Sequence, residues 1–405
     1  MLESLSLTDW KSFGSNANVL AFGPLTLLVG PNGSGKSNAL DALRFLQGAA
    51  LDFPLGDVLR GRWEGQREIW PAIRGQVVEA ARAGTSRFEL TARWRVEDGD
   101  ELTHSLAVET APEVVLAQES LKRQGSRSAS FDTHAPALRS AAGRQPGGSI
   151  KAAVRGKGQG NSPTNSYSAA RSLLGQVFTA ERAHADALED ARTAQSALRN
   201  IVFLDIQPSR MRDYRPEHAP ALGTSGENIS PTLHALPRDR LADVVDWVSE
   251  LCAPRLSGLS FDTTQLKEVM FFLREGEHTI SARSVSDGTL RFLGLVTALL
   301  TAAPGSLMVL EEPDVGLHPA RVHLLARLLE QATAAGRIQV VATTHSPTLL
   351  AHLNASSLSN VLALGRDRDG LSVARRLGEL PHFPTLRDSK QLEHLVSTGW
   401  IERAL

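Results

Sequence analysis

Gly30-Pro31-Asn32-Gly33-Ser34-Gly35-Lys36-Ser37 is the stretch on which the reading of this chain turns. It matches G-x-x-x-x-G-K-[ST], the pattern of a phosphate-binding P-loop. Its flanks agree with it. Leu25-Thr26-Leu27-Leu28-Val29 reads as a buried strand, and Ser37–Gln47 carries Leu40, Leu43 and Leu46 on one face of a helix expected to end at Gly48. Glycines let backbone N–H groups turn inward around phosphate, at a helix N-terminus that itself favours negative charge. Gly30, Asn32, Gly33, Ser34, Gly35 and Asn38 are then the expected cradle. Lys36 is expected to reach the β- and γ-phosphates of ATP, and the Ser37 hydroxyl to ligate Mg²⁺.

A second stretch supplies the partner chemistry. Leu307-Met308-Val309-Leu310-Glu311-Glu312 is a four-residue apolar strand ending in two carboxylates, the form of a Walker B segment. Ligands bind at that end of a parallel strand. Glu311 is placed to hold Mg²⁺ directly or through water, and Glu312 to orient or deprotonate an attacking water. Further upstream, Ser284-Val285-Ser286-Asp287-Gly288-Thr289 opens a helix with small residues. That is either a second anion site or a plain N-cap by Ser286 or Asp287.

The surrounding pattern is α/β. The strand Ile201–Leu204, the helix from Thr289, the strand Leu307–Leu310, the helix Ala320–Ala334 and the strand Ile338–Thr343 alternate as in a parallel sheet. A helix near Leu241–Leu251 and strands Glu268–Leu273 and His278–Arg283 precede them. Leu5 and Leu7 mark an early strand. Arg87–Val96 alternates Phe88, Leu90, Ala92, Trp94 and Val96 against mostly charged residues, with Glu101–Glu109 as its hairpin partner across Asp98-Gly99. Between 120 and 160 lie Lys122, Arg123, Arg127, Arg139, Arg144, Lys151, Arg155 and Lys157 against one acid, Asp132, amid Gly, Ser and Ala. Such a composition predicts a flexible segment. An Ala-rich helical pattern follows over Ser168–Arg199, too short for a long coiled coil. The expected division is an N-terminal lobe at 1–119 with P-loop and β hairpin, a basic flexible and helical insertion at 120–200, a C-terminal lobe at 201–377, and a tail at 378–405. In the tail Leu392, Leu395 and Trp400 are candidate docking contacts.

Bulk properties narrow the partners. The chain has 405 residues with a formal net charge of −1, so attraction to nucleic acid would have to come from a local patch such as 120–160. Cys252 is the only cysteine, which excludes an intrachain disulfide and a cysteine metal site. Twelve histidines show no metal-ligand spacing. No signal peptide is expected at the start and no membrane-spanning run is present, so a cytoplasmic protein without membrane contact is expected.

Four segments together resemble a known family: G-P-N-G-S-G-K-S-N-A-L-D-A-L-R-F-L (Gly30–Leu46), S-D-G-T-L-R (Ser286–Arg291), E-E-P-D-x-G-L-H-P (Glu311–Pro319) and T-H-S-P (Thr344–Pro347). In this order they resemble the ABC-type ATPase heads of the SMC and RecF class, most closely the compact AAA-type ATPases related to overcoming-lysogenization-defect (OLD) proteins. The resemblance covers Met1 to about Thr110 and Ile201 to about Leu377. It implies a P-loop fold of ABC/SMC-head type, with a mixed sheet, an antiparallel β lobe and an insertion. It also implies a homodimer closed on ATP and Mg²⁺. Ser286 and Gly288 would contact the γ-phosphate held by the other protomer. Asp314 would sit in the D-loop across the dimer, His345 would sense the γ-phosphate, and Gln207 after Ile201–Leu204 would be the Q-loop glutamine. The segment S-D-G-T departs from the transporters' S-G-G-Q, and Glu311 stands where Asp is commoner.

The expected function is an ATP-driven dimerisation switch with a separate effector, in genome maintenance or anti-phage defence. The alternative is a RecF-like clamp or loader that grips DNA through the basic segment. Asp367-Arg368-Asp369-Gly370 looks like the D-x-D of a Toprim nuclease, but it lies between two strand-like runs and reads better as a hairpin turn.

Overall fold

A computed structural model describes residues 1–96, 99–134, 148–156, 162–218, 221–252, 256–380 and 383. Strands β1 (Leu2–Thr8), β2 (Asn18–Ala21) and β3 (Leu25–Val29) lead into helices α1 (Lys36–Ala50) and α2 (Leu55–Arg60). The chain then lays down β4 (Arg62–Glu64), β5 (Arg67–Trp70), β6 (Arg87–Arg95), β7 (Glu101–Glu109), β8 (Val115–Arg123), β9 (Phe131–Asp132), β10 (Ser149–Val154) and β11 (Thr164–Ser168). Helices α3 (Leu173–Gln176) and α4 (Ala185–Arg199) and strands β12 (Ile201–Leu204) and β13 (Arg215–Pro216) come next. They are followed by α5 (Ile229–His234), α6 (Arg238–Cys252), β14 (Leu256–Thr263), β15 (Glu268–Glu275), β16 (His278–Ser281), α7 (Asp287–Thr301) and β17 (Leu307–Glu311). The described chain ends with α8 (Val322–Ala334), β18 (Gln339–Thr344), α9 (Pro347–Ala351), α10 (Ala355–Ser359), β19 (Leu362–Arg366) and β20 (Ser372–Arg376).

The central sheet runs β12-β17-β18-β3-β19-β20, parallel except for the last strand. Strands β3 and β18 are buried at every position, as a strand covered on both faces must be. The two-residue period of a strand divides the molecule into two cores. Leu28, Val309 and Val341 face α1, α4 and the antiparallel lobe. Leu27, Met308, Leu310, Val340 and Ala342 face the helices α6, α7 and α8. Strand β3 pairs in parallel with β18 and β19, so an expected boundary at 200 would cut through this sheet.

The antiparallel lobe is one eight-stranded sheet, β11-β10-β9-β8-β7-β6-β1-β2. The expected hairpin registers as Arg87↔Glu109 through Arg95↔Glu101. Here one expectation is corrected. Of the basic segment, residues 120–134 and 148–156 are ordered and largely form strands β8, β9 and β10 of this sheet. Arg139, Arg144 and Lys157 lie outside the described residues. Composition misled because half of each strand faces away from the core and tolerates polar residues, while Leu121, Phe131, Ala152 and Val154 fill the inner face. Two of the bases also have a structural partner. Arg123 donates to Asp190 of α4 at 2.8 Å and Arg155 lies 3.4 Å from the same buried carboxylate. The Ala-rich pattern is corrected too: it resolves into α3, a 3₁₀ turn and α4, and Ala187, Ala191 and Ala194 let α4 pack closely on its neighbours. Helix α1 does not stop at Gly48. It runs to Ala50, and Gly48 is buried where a Cβ would stand 2.7 Å from Val58 Cγ1.

Within this lobe Glu119 is fully buried. Its carboxylate accepts from Ser172 Oγ at 2.7 Å and from the backbone N–H of Leu173 at 2.6 Å, and lies 2.7 Å from His104 Nε2. It ties β8 to β7 and to the start of α3. Glu119→Ala leaves these groups buried without a partner. It should cost about 3 kcal/mol of stability, read as a lowered denaturant midpoint.

Among the described residues no helix is long and apolar enough to cross a membrane. The tail contacts expected at Leu392, Leu395 and Trp400 lie outside the described residues, as does Asp98 of the expected hairpin turn. The Asp367–Gly370 segment is a turn between the antiparallel strands β19 and β20. Asp367 Oδ1 accepts from the backbone N–H groups of Asp369 and Leu371, at 3.0 and 2.8 Å, so this carboxylate organises the turn.

Candidate nucleotide site

The P-loop joins β3 to α1 at the C-terminal edge of the central sheet. Gly30 has φ +148°, and a Cβ there would lie 2.1 Å from the Leu364 carbonyl oxygen. Gly35, at φ +107°, caps α1 and packs on Ser372, whose Oγ would stand 2.4 Å from a Cβ. Both positions need glycine for conformation and for space. The β19–β20 hairpin therefore braces the loop from behind. Arg366 completes the brace by donating to the Gly33 carbonyl at 2.7 Å. Asn32 and Gly33 form the exposed crest. Ser34 is buried, and its hydroxyl has no partner among the described residues.

Lys36 donates to the carbonyls of Gly30 and Pro31 at 2.8 and 3.0 Å. Burial lowers its pKa, against the pull of Glu312 and Glu311. Asn38, expected in the cradle, also has structural partners. Its side-chain amide donates to Ser12 Oγ at 2.7 Å, and its carbonyl accepts from the Trp10 indole at 2.8 Å. That arrangement holds the β1–β2 loop against α1.

The two carboxylates of the Walker B segment diverge. Ser37 Oγ donates to Glu311 Oε1 at 2.9 Å, and Arg74 donates to Glu311 Oε2 at 2.5 Å. Burial pushes the Glu311 carboxyl up, but the bonds from Arg74 and Ser37 outweigh it and hold it below its ordinary value. Glu312 adopts φ +46°, a conformation costly for a residue with a Cβ, and its N–H donates to Thr343 at 3.1 Å. This kink turns its side chain toward His345, whose Nε2 lies 3.5 Å from Glu312 Oε1. Asp314 accepts from Thr344 Oγ1 at 2.8 Å, with burial raising its pKa against that bond. The tertiary structure thus joins Lys36, Ser37, Glu311, Glu312, Asp314 and His345 into one edge.

Ser286 and Gly288 stand at the start of α7. Ser286 caps α7, its Oγ accepting from the Thr289 N–H at 3.3 Å, so the plain N-cap is present. Gly288 packs on the loop after β17, where a Cβ would meet the Gly316 carbonyl oxygen at 2.4 Å. Arg212 fixes the approach by donating to the carbonyls of Arg283 and Val285 and to Asp287, at 2.7, 2.8 and 2.5 Å. Gln207 donates to Asp205 at 2.9 Å, and Asp205 lines a cavity of about 180 Å³ together with Arg74 and Glu311. Sequence reasoning missed Arg74, Arg212 and Arg366. Nothing in their local pattern sets them apart from the chain's other arginines.

The donor set suits ATP with Mg²⁺. A serine hydroxyl and a carboxylate oxygen within 2.9 Å are hard oxygen ligands, and the unpartnered Ser34 hydroxyl lies in the same loop. No cluster of three or more metal-ligating side chains exists among the described residues. Mg²⁺ shared with phosphate needs only one or two protein ligands.

Fold and site together define a P-loop ATPase head. The family model described as "AAA domain, putative AbiEii toxin, Type IV TA system" matches residues 25–134 and 163–351, and the chain belongs to that family. It is 32% identical over 124 residues to the DNA replication and repair protein RecF of Beutenbergia cavernae, covering 30% of each chain. It is 54% identical over 48 residues to the chromosome partition protein Smc of Mycolicibacterium paratuberculosis, covering 12% of this chain and 4% of that one. These matches thus span well under two thirds of either relative. A solved Smc head bound to the C-winged helix domain of ScpA has the same fold. Its TM-score is 0.50 at 16% identity, covering 92% of this chain and 96% of that one.

Proposed function

We propose that this chain binds ATP with Mg²⁺, hydrolyses it, and acts as an ATP-driven dimerisation switch whose closed state is read by a separate effector. The observation that carries this is the gathering of the P-loop and Walker B residues at one edge, with Ser286 and Gly288 at the start of a separate helix. Lys36, Ser37, Glu311, Glu312 and His345 gather at the P-loop edge. The described contacts of Ser286 and Gly288 run to α7 and the Gly316 loop. We read Ser286 and Gly288 as completing the phosphate site of a second copy.

The proposed roles follow from position. Lys36 neutralises phosphate charge, and Ser37 and Glu311 hold Mg²⁺, which supplies further charge neutralisation on the phosphates. Glu312 takes the proton of the attacking water, and His345 beside it orients that carboxylate. Asp314 and Ser286 face the partner protomer, with Gln207 as the Q-loop glutamine. On the E-E-P-D-x-G-L-H-P and T-H-S-P segments we place the chain among the compact OLD-related ATPases that lack a Toprim nuclease. The setting is then genome maintenance or anti-phage defence.

Ser286→Arg tests this reading. It should cut ATP turnover about tenfold or more while leaving ATP binding by dilute protein unchanged, because the added bulk is set against the partner's phosphate and the lost α7 cap costs only about 1 kcal/mol. Lost binding in dilute protein would mean that Ser286 acts on the nucleotide of its own protomer. A RecF-like DNA clamp is the second reading. It rested on the basic segment, and the engagement of Arg123 and Arg155 with Asp190 favours the switch. DNA binding with a steep salt dependence would reverse that preference.

A further inference from the structure

Arg74 stands outside every motif, yet it holds one oxygen of the carboxylate proposed to take Mg²⁺. Its guanidinium lies 2.5 Å from Glu311 Oε2, while Ser37 occupies Oε1 at 2.9 Å. The backbone beneath it is pinned. Lys11 donates to the Arg74 carbonyl at 2.7 Å and to Asp41 of α1 at 2.5 Å, in an ion pair that is almost fully buried. The side chain itself has freedom, being 56% exposed. It also borders the cavity of about 180 Å³, whose wall holds two other carboxylates, Asp41 and Asp205.

We propose that Arg74 is a latch that competes with the divalent cation for Glu311 and so sets the Mg²⁺ concentration at which the site binds nucleotide. This rests on the ATP reading above. A guanidinium and a divalent cation cannot both neutralise one carboxylate at full strength, so one must yield. Arg74 yields by rotating about a fixed backbone toward Asp41 and Asp205. The second of these receives the Gln207 amide, so the released guanidinium contends with Gln207 for that carboxylate. Cation occupancy is thereby passed to the Q-loop candidate.

The test uses the full chain and a fluorescent ATP analogue titrated with Mg²⁺. Arg74→Gln should lower the Mg²⁺ midpoint for nucleotide binding about fivefold, a modest change because the pair is half exposed. Arg74→Lys, which keeps the charge without the fork, should fall between the two. Thermal melting confirms that each variant is folded. An unchanged or higher midpoint in Arg74→Gln overturns the latch. So does an unchanged midpoint with weaker binding at saturating Mg²⁺, which would make Arg74 a phosphate ligand. If neither protein binds the nucleotide at any Mg²⁺ concentration, the ATP reading fails, whereas equal midpoints remove the latch alone.

Discussion

Glu312→Gln should hydrolyse ATP about a hundredfold or more slowly while binding it with near wild-type affinity. The substitution is close to isosteric. It leaves the N–H bond of residue 312 to Thr343 and the left-handed backbone in place, so the side chain still points toward His345. What it removes is the oxygen able to take a proton from water. Lys36, Ser37 and Glu311 are untouched, so the phosphate cradle and its counter-charge persist. A dimer closed on ATP should therefore accumulate, seen as a doubled mass by light scattering in the presence of ATP. Phosphate release at the wild-type rate would move the catalytic base to another residue. His345 would then be the first candidate, since its Nε2 lies 3.5 Å from Glu312 Oε1.

Lys36→Ala should weaken ATP binding by about thirtyfold, the usual worth of a hydrogen bond to a charged group. The geometry argues for a binding defect without unfolding. Among the described residues Lys36 Nζ donates to the Gly30 and Pro31 carbonyls of the loop itself, so its removal leaves the sheet and both cores untouched. Burial already opposes its charge, so the protein gains little stability from keeping an ammonium there without phosphate. Calorimetry should show the lost affinity with an unchanged melting temperature. Equal ATP affinity in the two proteins would remove Lys36 from the phosphate site.

The comparison of sequence with structure separates two kinds of information. Gly30 and Gly35 were legible because a positive φ and a close approach demand glycine whatever surrounds them. The strand before the P-loop and the strand before Glu311 were legible because burial on both faces forces a nearly continuous apolar run, broken only by Thr26. Composition failed where burial is one-sided. In the second half of β8 the buried Leu121 sits between Ser120 and Lys122, and β10 opens on Ser149 and Lys151 before its buried end, so polar and basic neighbours hid a sheet. Asn38 was read from the motif alone, whereas its partner, Ser12, lies 26 residues away.

The sequence by itself determined the glycine turn of the P-loop, the strand carrying the carboxylates and the α/β class, because each depends on local backbone conformation or on the period of burial. Tertiary structure alone decided that Ser37 meets Glu311 across 274 residues, that Arg74 shares that carboxylate, and that the β19–β20 hairpin braces the P-loop. The reason is physical. Propensity and periodicity act over a few residues, whereas which charges face one another depends on how strands order themselves in the sheet. That order is set by the packing of the two cores, which no local pattern encodes.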